Sequence, residues 1–301
     1  MSHTQDENGD LSSVEVTAAV TSTYSAGARV KKAELCCPVS YDPERLEVIP
    51  DEILERDYGC GDPSQHLREG ETVLDLGSGG GKICFIASQV VGPTGRVIGV
   101  DMTSDMLALA REWREEVGER IGWQNVEFRH GRIEDLGLDL DLFGGWLADH
   151  PAHDVAGWQA AEDEAARLRA ERPLVADESV DVVVSNCVLN LVASQAKMRL
   201  LGEIFRVLRH GGRAVISDIV SDREVPLELR RDPELWAGCV SGAFEESAFP
   251  RAFEQAGFTG VEVLARQEEP WQVVEGIEFR SVTIVAWKNA VGERPGGTSC
   301  C

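Results

Sequence analysis

Val73-Leu74-Asp75-Leu76-Gly77-Ser78-Gly79-Gly80-Gly81-Lys82 is a short apolar strand running into a glycine-rich turn, with a helix predicted over Lys82–Val91. Glycines let a backbone approach a ligand closely, and the free N–H groups at a helix start point at an acceptor. A nicotinamide-binding loop reads G-x-G-x-x-G and cradles a pyrophosphate. Here an acid, Asp75, sits inside the strand, two residues before the first glycine. The loop therefore predicts a bound nucleoside. The plain alternative is a tight strand–helix turn without ligand.

The partners of this turn lie downstream. After Gly92-Pro93-Thr94-Gly95 comes a second strand, Arg96–Asp101. It ends in an acid roughly 20–25 residues after the glycine loop, the separation at which a βαβ nucleotide site bonds ribose hydroxyls. Met102 follows and is placed to pack on a base. A third strand, Val126–His130, leads to Gly131-Arg132-Ile133-Glu134-Asp135, and a fourth, Val180–Val184, opens on Ser185-Asn186-Cys187. Such strand ends share one edge of an open parallel sheet, where α/β folds bind ligands.

The rest of the chain extends this pattern. A helix over Gln195–Leu208 carries Met198, Leu201, Ile204, Phe205 and Leu208 at core-facing spacing. Gly211-Gly212 ends it and starts a fifth strand, Arg213–Asp218. A helical excursion over 222–244, a helix over Glu246–Ala256 and two strands, Gly260–Ala265 and Phe279–Trp287, follow. The fold class is α/β: a doubly wound, Rossmann-like, seven-stranded sheet with a C-terminal antiparallel hairpin strand and helical insertions. Residues 1–35 read as a tail and a leading helix, 36–288 as the domain, and 289–301 as a flexible cysteine-ending tail. Between strands three and four, Leu136–Asp177 carries Trp146, Trp158 and a helical piece, Glu162–Glu171. A segment of that length covers a site or forms a cap packed by its tryptophans.

With 301 residues, 43% of them hydrophobic, the chain supports one large domain or one domain with a small appendage. Its net charge of −23, from 52 acids against 29 Lys plus Arg, repels phosphate backbones and argues against nucleic acid. No apolar run is long enough to span a bilayer, and Met1–Ser13 lacks a signal-peptide core, so a cytoplasmic enzyme with no membrane partner is expected. The eight cysteines fit neither a secreted disulfide framework nor zinc spacing. Cys60 lies just before the first strand, Cys187 just after the fourth, and Cys239 in the excursion after the fifth. A folded sheet brings the first two side by side, and the excursion can close over them. The plain reading of each is a small buried hydrophobe, and Cys84, inside the first helix, takes that reading.

The placement of Asp75 before the glycine loop resembles S-adenosylmethionine-dependent methyltransferases, in which the turn after strand three lines the adenine pocket. That resemblance implies cofactor binding by Tyr58, Asp75, Gly77, Ser78, Gly79, Gly81, Asp101, Met102, Ile133, Glu134 and Asn186. Taken together, Tyr58-Gly59-Cys60-Gly61, Leu74–Gly81, Gly99-Val100-Asp101-Met102, Asn186-Cys187-Val188-Leu189-Asn190-Leu191 and Leu235-Trp236-Ala237-Gly238-Cys239-Val240-Ser241-Gly242-Ala243 resemble the arsenite methyltransferase family, from about Cys36 to Lys288. The resemblance implies that Cys60, Cys187 and Cys239 bind trivalent arsenic, and that Cys36 or Cys37 joins the redox part of the cycle. A thiol reductant of the glutathione or thioredoxin type would then restore the enzyme. The chain departs from longer family members in its Leu136–Asp177 segment and in stopping soon after the last strand. Arsenic loses no proton on attacking a methyl group, so no general base is needed, and His130 reads as structural.

Two other functions stay open at this stage. One is a small-molecule C-, N- or O-methyltransferase with incidental cysteines. The other is a thiol-based metalloid-sequestering protein in which Cys300-Cys301 also takes part, though that pair reads equally as a redox shuttle or a bare chain end. The sequence leaves the number of methyl groups open.

Overall fold

The computed structural model describes residues 10–30 and 39–288. Cys36, Cys37, Cys300 and Cys301 lie outside the described residues. Helix α1 (Ser13–Gly27) opens on a reciprocal Ser12–Glu15 capping box that satisfies its first N–H groups. Short helices α2 (Pro43–Leu46) and α3 (Asp51–Glu55) lead to β1 (Thr72–Leu76). Then come α4 (Lys82–Val91), β2 (Arg96–Asp101), α5 (Ser104–Ile121) and β3 (Val126–His130). Helices α6 (Leu140–Asp149) and α7 (Val155–Glu171) precede β4 (Val180–Asn186), α8 (Lys197–Val207) and β5 (Leu208–Ser221). The chain continues through α9 (Leu227–Arg230), α10 (Pro233–Ala237), β6 (Phe244–Glu245) and α11 (Ala248–Gln255). It finishes with β7 (Thr259–Arg266), β8 (Gln272–Val274) and β9 (Ile277–Trp287).

The sheet order β3-β2-β1-β4-β5-β9-β7 reverses direction between β1 and β4. Parallel strands buried on both faces need apolar residues at every position, which is why Val73-Leu74 and Val182-Val183-Val184 read as continuous runs. Alternate residues then serve opposite layers. Val73, Val97, Val182, Val184 and Val215 pack with Ile83, Phe85 and Ile86 of α4 and Leu107 of α5. Leu74, Leu76, Ile98, Val100, Val183 and Ile216 pack with Leu200, Leu201 and Ile204 of α8 and Phe249 and Phe253 of α11. At the reversal the crossovers leave on opposite sides of the sheet, and a crevice opens beyond the carboxyl ends of β1 and β4.

The structure corrects several expectations. Among the described residues the sheet has nine strands, because β6 pairs with β5 and β8 with β9 beyond the expected seven-strand path. Both extra strands are too short to show an alternation. Strand β5 begins at Leu208, ahead of the glycine pair, because Leu208 already pairs with Val180. Helix α8 begins at Lys197, and Met198 is 46% exposed rather than core-facing. The Leu136–Asp177 segment holds two helices, and its tryptophans pack no cap: Trp158 is exposed and Trp146 stacks between Phe143 and His150. Leu138, Ala165 and Leu168 pack its helices on one another, and the segment is seated on the domain by Leu136, Leu174 and Val175 and by ion pairs from Arg169 to Asp135 and from Arg111 to Asp141. Helix α1 docks on the domain, where Leu11, Val16 and Val20 meet Ala193 and Trp236.

Candidate active site

A cavity opens in the crevice at the strand reversal, where open α/β sheets bind ligands. Asp75 and the turn Gly77–Gly80 form one wall, Asp101 to Thr103 a second, Arg132 to Glu134 a third, and Asn186 to Val188 the inner end. Gly77 sits at φ 70, and a Cβ there would stand 3.0 Å from the Val188 Cβ, so only glycine lets the two strand ends meet this closely. Asp101 folds the turn inward: its carboxylate accepts from the Gly79 N–H at 2.9 Å and the Thr103 N–H at 2.7 Å. Burial pushes Asp101 above the usual carboxylate range, against those N–H groups. Glu134 is held by Arg132 Nε at 2.7 Å. The Ser78 hydroxyl is buried in the wall and has no hydrogen-bond partner among the described residues, so it is available to a ligand in the cavity.

Asp75 is 2% exposed, and burial raises its carboxyl to about 7. Cys84 donates to it at 3.2 Å. Cys84 is therefore a packing residue, as its helix position predicts, with one polar contact the sequence does not show.

Beyond the inner end lies a thiol cluster. Cys60, Cys187 and Cys239 are all buried, and they share one apolar pocket with Ile219, Val225, Val240, Ile277 and Phe279. The sulfurs of Cys60 and Cys187 and a carboxylate oxygen of Asp218 lie within 4.8 Å of one another. Cys239 stands beside them, its Sγ donating to the Cys187 carbonyl at 3.3 Å. Cys187 (φ 64) and Cys239 (φ 62) both occupy the left-handed region, a conformation that costs non-glycine residues energy and concentrates at functional sites. Burial raises Asp218 to about 6, opposed by the Ile219 N–H, the charge of Lys197 and the N–H groups of Asn190 and Leu189.

Of the residues for which the resemblance implies cofactor binding, Tyr58, Asp75, Gly77, Ser78, Gly79, Asp101, Met102, Ile133, Glu134 and Asn186 line the cavity and Gly81 does not. Gly81 caps α4 at φ 93 and faces Phe128. Asn186 lines the cavity, yet its amide is committed elsewhere. Its Oδ1 accepts from the N–H groups of Cys60 (2.9 Å) and Gly61 (3.0 Å), and its Nδ2 donates to the Gly61 carbonyl at 2.7 Å and the Tyr41 hydroxyl at 3.1 Å.

Sequence reasoning missed two contributors. One is Asp218, an acid inside an otherwise fully buried stretch of β5, and that misfit was its only signal. The other is α1, whose Val16, Thr17, Val20 and Tyr24 roof the cavity. Tyr24 packs edge-on against Tyr58 at 5.9 Å. Burial first, then the thiols of Cys239 and Cys187, hold its hydroxyl well above the usual range.

A family model described as a methyltransferase domain matches residues 67–172 and 165–257. An arsenite methyltransferase of Aquipseudomonas alcaligenes is 38% identical over 232 residues, covering 76% of this chain and 57% of that protein. One of Homo sapiens is 32% identical over 266 residues, covering 86% of this chain and 60% of that protein. The solved arsenic(III) S-adenosylmethionine methyltransferase of Chlamydomonas reinhardtii superposes with a TM-score of 0.64 at 30% identity, covering 83% of this chain and 75% of that one. The chain spans roughly half to three-fifths of the length of the curated relatives it matches.

Proposed function

The chain belongs to the arsenite methyltransferase family, and from that premise we propose that it transfers the methyl group of S-adenosylmethionine to trivalent arsenic held by cysteine thiols. One observation carries the reading: Cys187 lines the cavity and also belongs to the thiol cluster. A methyl donor in the first would face an arsenic atom on the second.

The cavity suits S-adenosylmethionine. The unpartnered Ser78 hydroxyl, the Gly77 approach and the two acids Asp75 and Asp101 are donors and acceptors for an amino-acid end and a ribose. When bound, the cofactor supplies an electrophilic methyl group on sulfur. The protein's part is to hold and orient. Cys60, Cys187 and Cys239 bind arsenic in this reading, because thiolate is the soft ligand that a thiophilic centre takes. Three thiolates leave a lone pair at the apex of a pyramid, and aiming that pair along the methyl–sulfur axis supplies several kcal/mol of rate enhancement through positioning. The apolar walls, Ile219, Val240 and Phe279 among them, keep water from the transfer.

Methyl transfer leaves the arsenic oxidised by two electrons. Two thiolates return them by forming a disulfide, and an external thiol reductant of the glutathione or thioredoxin type reopens it. Cys36 or Cys37 takes part in that step. A reaction that needs reduced thiolates suits a reducing compartment, so we place it in the cytoplasm.

The test is incubation with arsenite, S-adenosylmethionine and a thiol, followed by separation of the arsenic species. Methylated arsenic is expected. Stoichiometric retention of unmethylated arsenite would instead identify a sequestering protein, and absence of both would sink the arsenic reading.

A further inference from the structure

The thiol cluster contains one donor that trivalent arsenic has no use for. Arsenic takes soft sulfur, whereas the Asp218 carboxylate is a hard oxygen ligand. Asp218 is fully buried, and among the described residues no Lys, Arg or His nitrogen lies within ion-pair distance of it. Lys197, the charge that bears on it most, is turned to the Gly242 carbonyl. The carboxylate is oriented instead by the N–H groups of Leu189 (2.8 Å), Asn190 (3.3 Å) and Ile219 (2.8 Å). Backbone donors of this kind fix a ligating carboxylate from its outer side. The result is a buried acid without a paired cation, facing two sulfurs.

We propose that Cys60, Cys187 and Asp218 form a mixed thiolate–carboxylate site for a thiophilic dication of the zinc or cadmium class, which competes with the arsenical for the same two sulfurs. The proposal builds on the reading of this pocket as a thiol ligand site and adds a second class of ligand to it. Such ions accept sulfur and oxygen together; for zinc the bonds are about 2.3 Å and 2.0–2.2 Å, so donor atoms around one zinc ion stand roughly 3.5–3.8 Å apart, and the larger cadmium ion spaces them wider. The three donor atoms lie within 4.8 Å of one another, and side-chain movements on the order of 1 Å close them on an ion. Cys187, held at φ 64, cannot relax far without losing its place. Binding releases one proton from each thiol and leaves the charge of Asp218 compensated. Water or Cys239 completes the coordination.

The experiment uses the full chain with Cys36, Cys37, Cys300 and Cys301 changed to Ser, so that no other thiols compete. Cadmium alone is titrated, and the ultraviolet cadmium–thiolate band is followed alongside calorimetry. One equivalent is expected, with the band lost in Cys60→Ser and Cys187→Ser, and with arsenite displacing the ion. Asp218→Asn should lower the ratio of cadmium to arsenite affinity on the order of tenfold or more. An unchanged ratio overturns the proposal. Vibrational difference spectra of the cadmium complex with Asp218 intact need no folded variant: a shift of a buried carboxylate stretch on cadmium binding, with a mixed sulfur–oxygen shell in X-ray absorption, supports the site, and an unshifted carboxylate or a sulfur-only shell overturns it. Methylation is read in the unsubstituted chain: normal arsenite methylation there, without the cadmium complex, would sink the inference alone, and a cadmium complex without arsenite methylation by the unsubstituted chain would sink only the arsenic reading.

Discussion

The side-chain oxygen of Asn186 accepts a hydrogen bond from the backbone N–H of Cys60 at 2.9 Å. Asn186 immediately precedes Cys187, so this bond ties the loop that carries one thiol to the strand end that carries the other. Losing a buried amide with several partners costs about 1–3 kcal/mol per unsatisfied group, or roughly tenfold and more in a binding constant. Asn186→Ala should therefore raise the KM for arsenite by about that factor while changing S-adenosylmethionine affinity less. Asn186→Asp, which keeps the acceptor, should fall between. Equal losses toward both ligands would remove this positioning role.

Gly59→Ala should reproduce the same split without touching Asn186 itself. A Cβ on Gly59 would stand 2.8 Å from the Asn186 Cγ, so the amide must swing away from Cys60 and Gly61. Kinetics with arsenite and cofactor varied separately test this. Wild-type arsenite KM would mean that the amide is free to yield.

Cys187→Ser and Cys239→Ser should each abolish arsenite methylation while leaving S-adenosylmethionine binding near normal. A hydroxyl is a poor ligand for a soft centre, and the volume change in the pocket is small. Calorimetry reads the cofactor, and speciation of arsenic reads the activity. Full activity in either variant would show that its sulfur is incidental.

The buried Asp75 carboxyl makes stability depend on pH in a defined direction. Its folded value is about 7 against an ordinary 3.8, and burial is the main cause. Below the ordinary value both states hold the proton, so the group contributes nothing. As pH rises toward 7 the unfolded chain releases its proton and the folded chain keeps it, so stability falls. Above 7 the full cost is present, on the order of a few kcal/mol. Asp75→Asn should therefore stabilise the cofactor-free chain most above pH 7 and least near pH 4. Denaturant melts across that range check it, and a pH-independent difference would contradict the assignment.

The 136–177 segment contributes no residue to the cavity or the thiol cluster. Trp158→Ser, at a position 56% exposed, should leave arsenite turnover and cofactor affinity within about twofold of wild type, as surface changes generally do. A tenfold loss in either would reveal a lid that the closed packing of α6 and α7 conceals.

The sequence by itself determined the strand–turn–helix at Asp75–Gly81, the acid at the end of β2 and the five-strand parallel core. These are local patterns: continuous apolar runs, glycines at the turn and acids at fixed separations leave few alternative folds. It also singled out Cys60, Cys187 and Cys239, through family resemblance rather than spacing, since those residues are far apart along the chain. Only the tertiary structure decided what surrounds them. Strand β5 sets Asp218 against two thiols, α1 roofs the cavity with Tyr24, and Asn186 is turned from the cofactor toward the Cys60 loop. Each of these depends on which strand lies beside which and where a side chain points once the crevice closes. No periodicity along the chain records such contacts, because they join residues separated by tens to hundreds of positions.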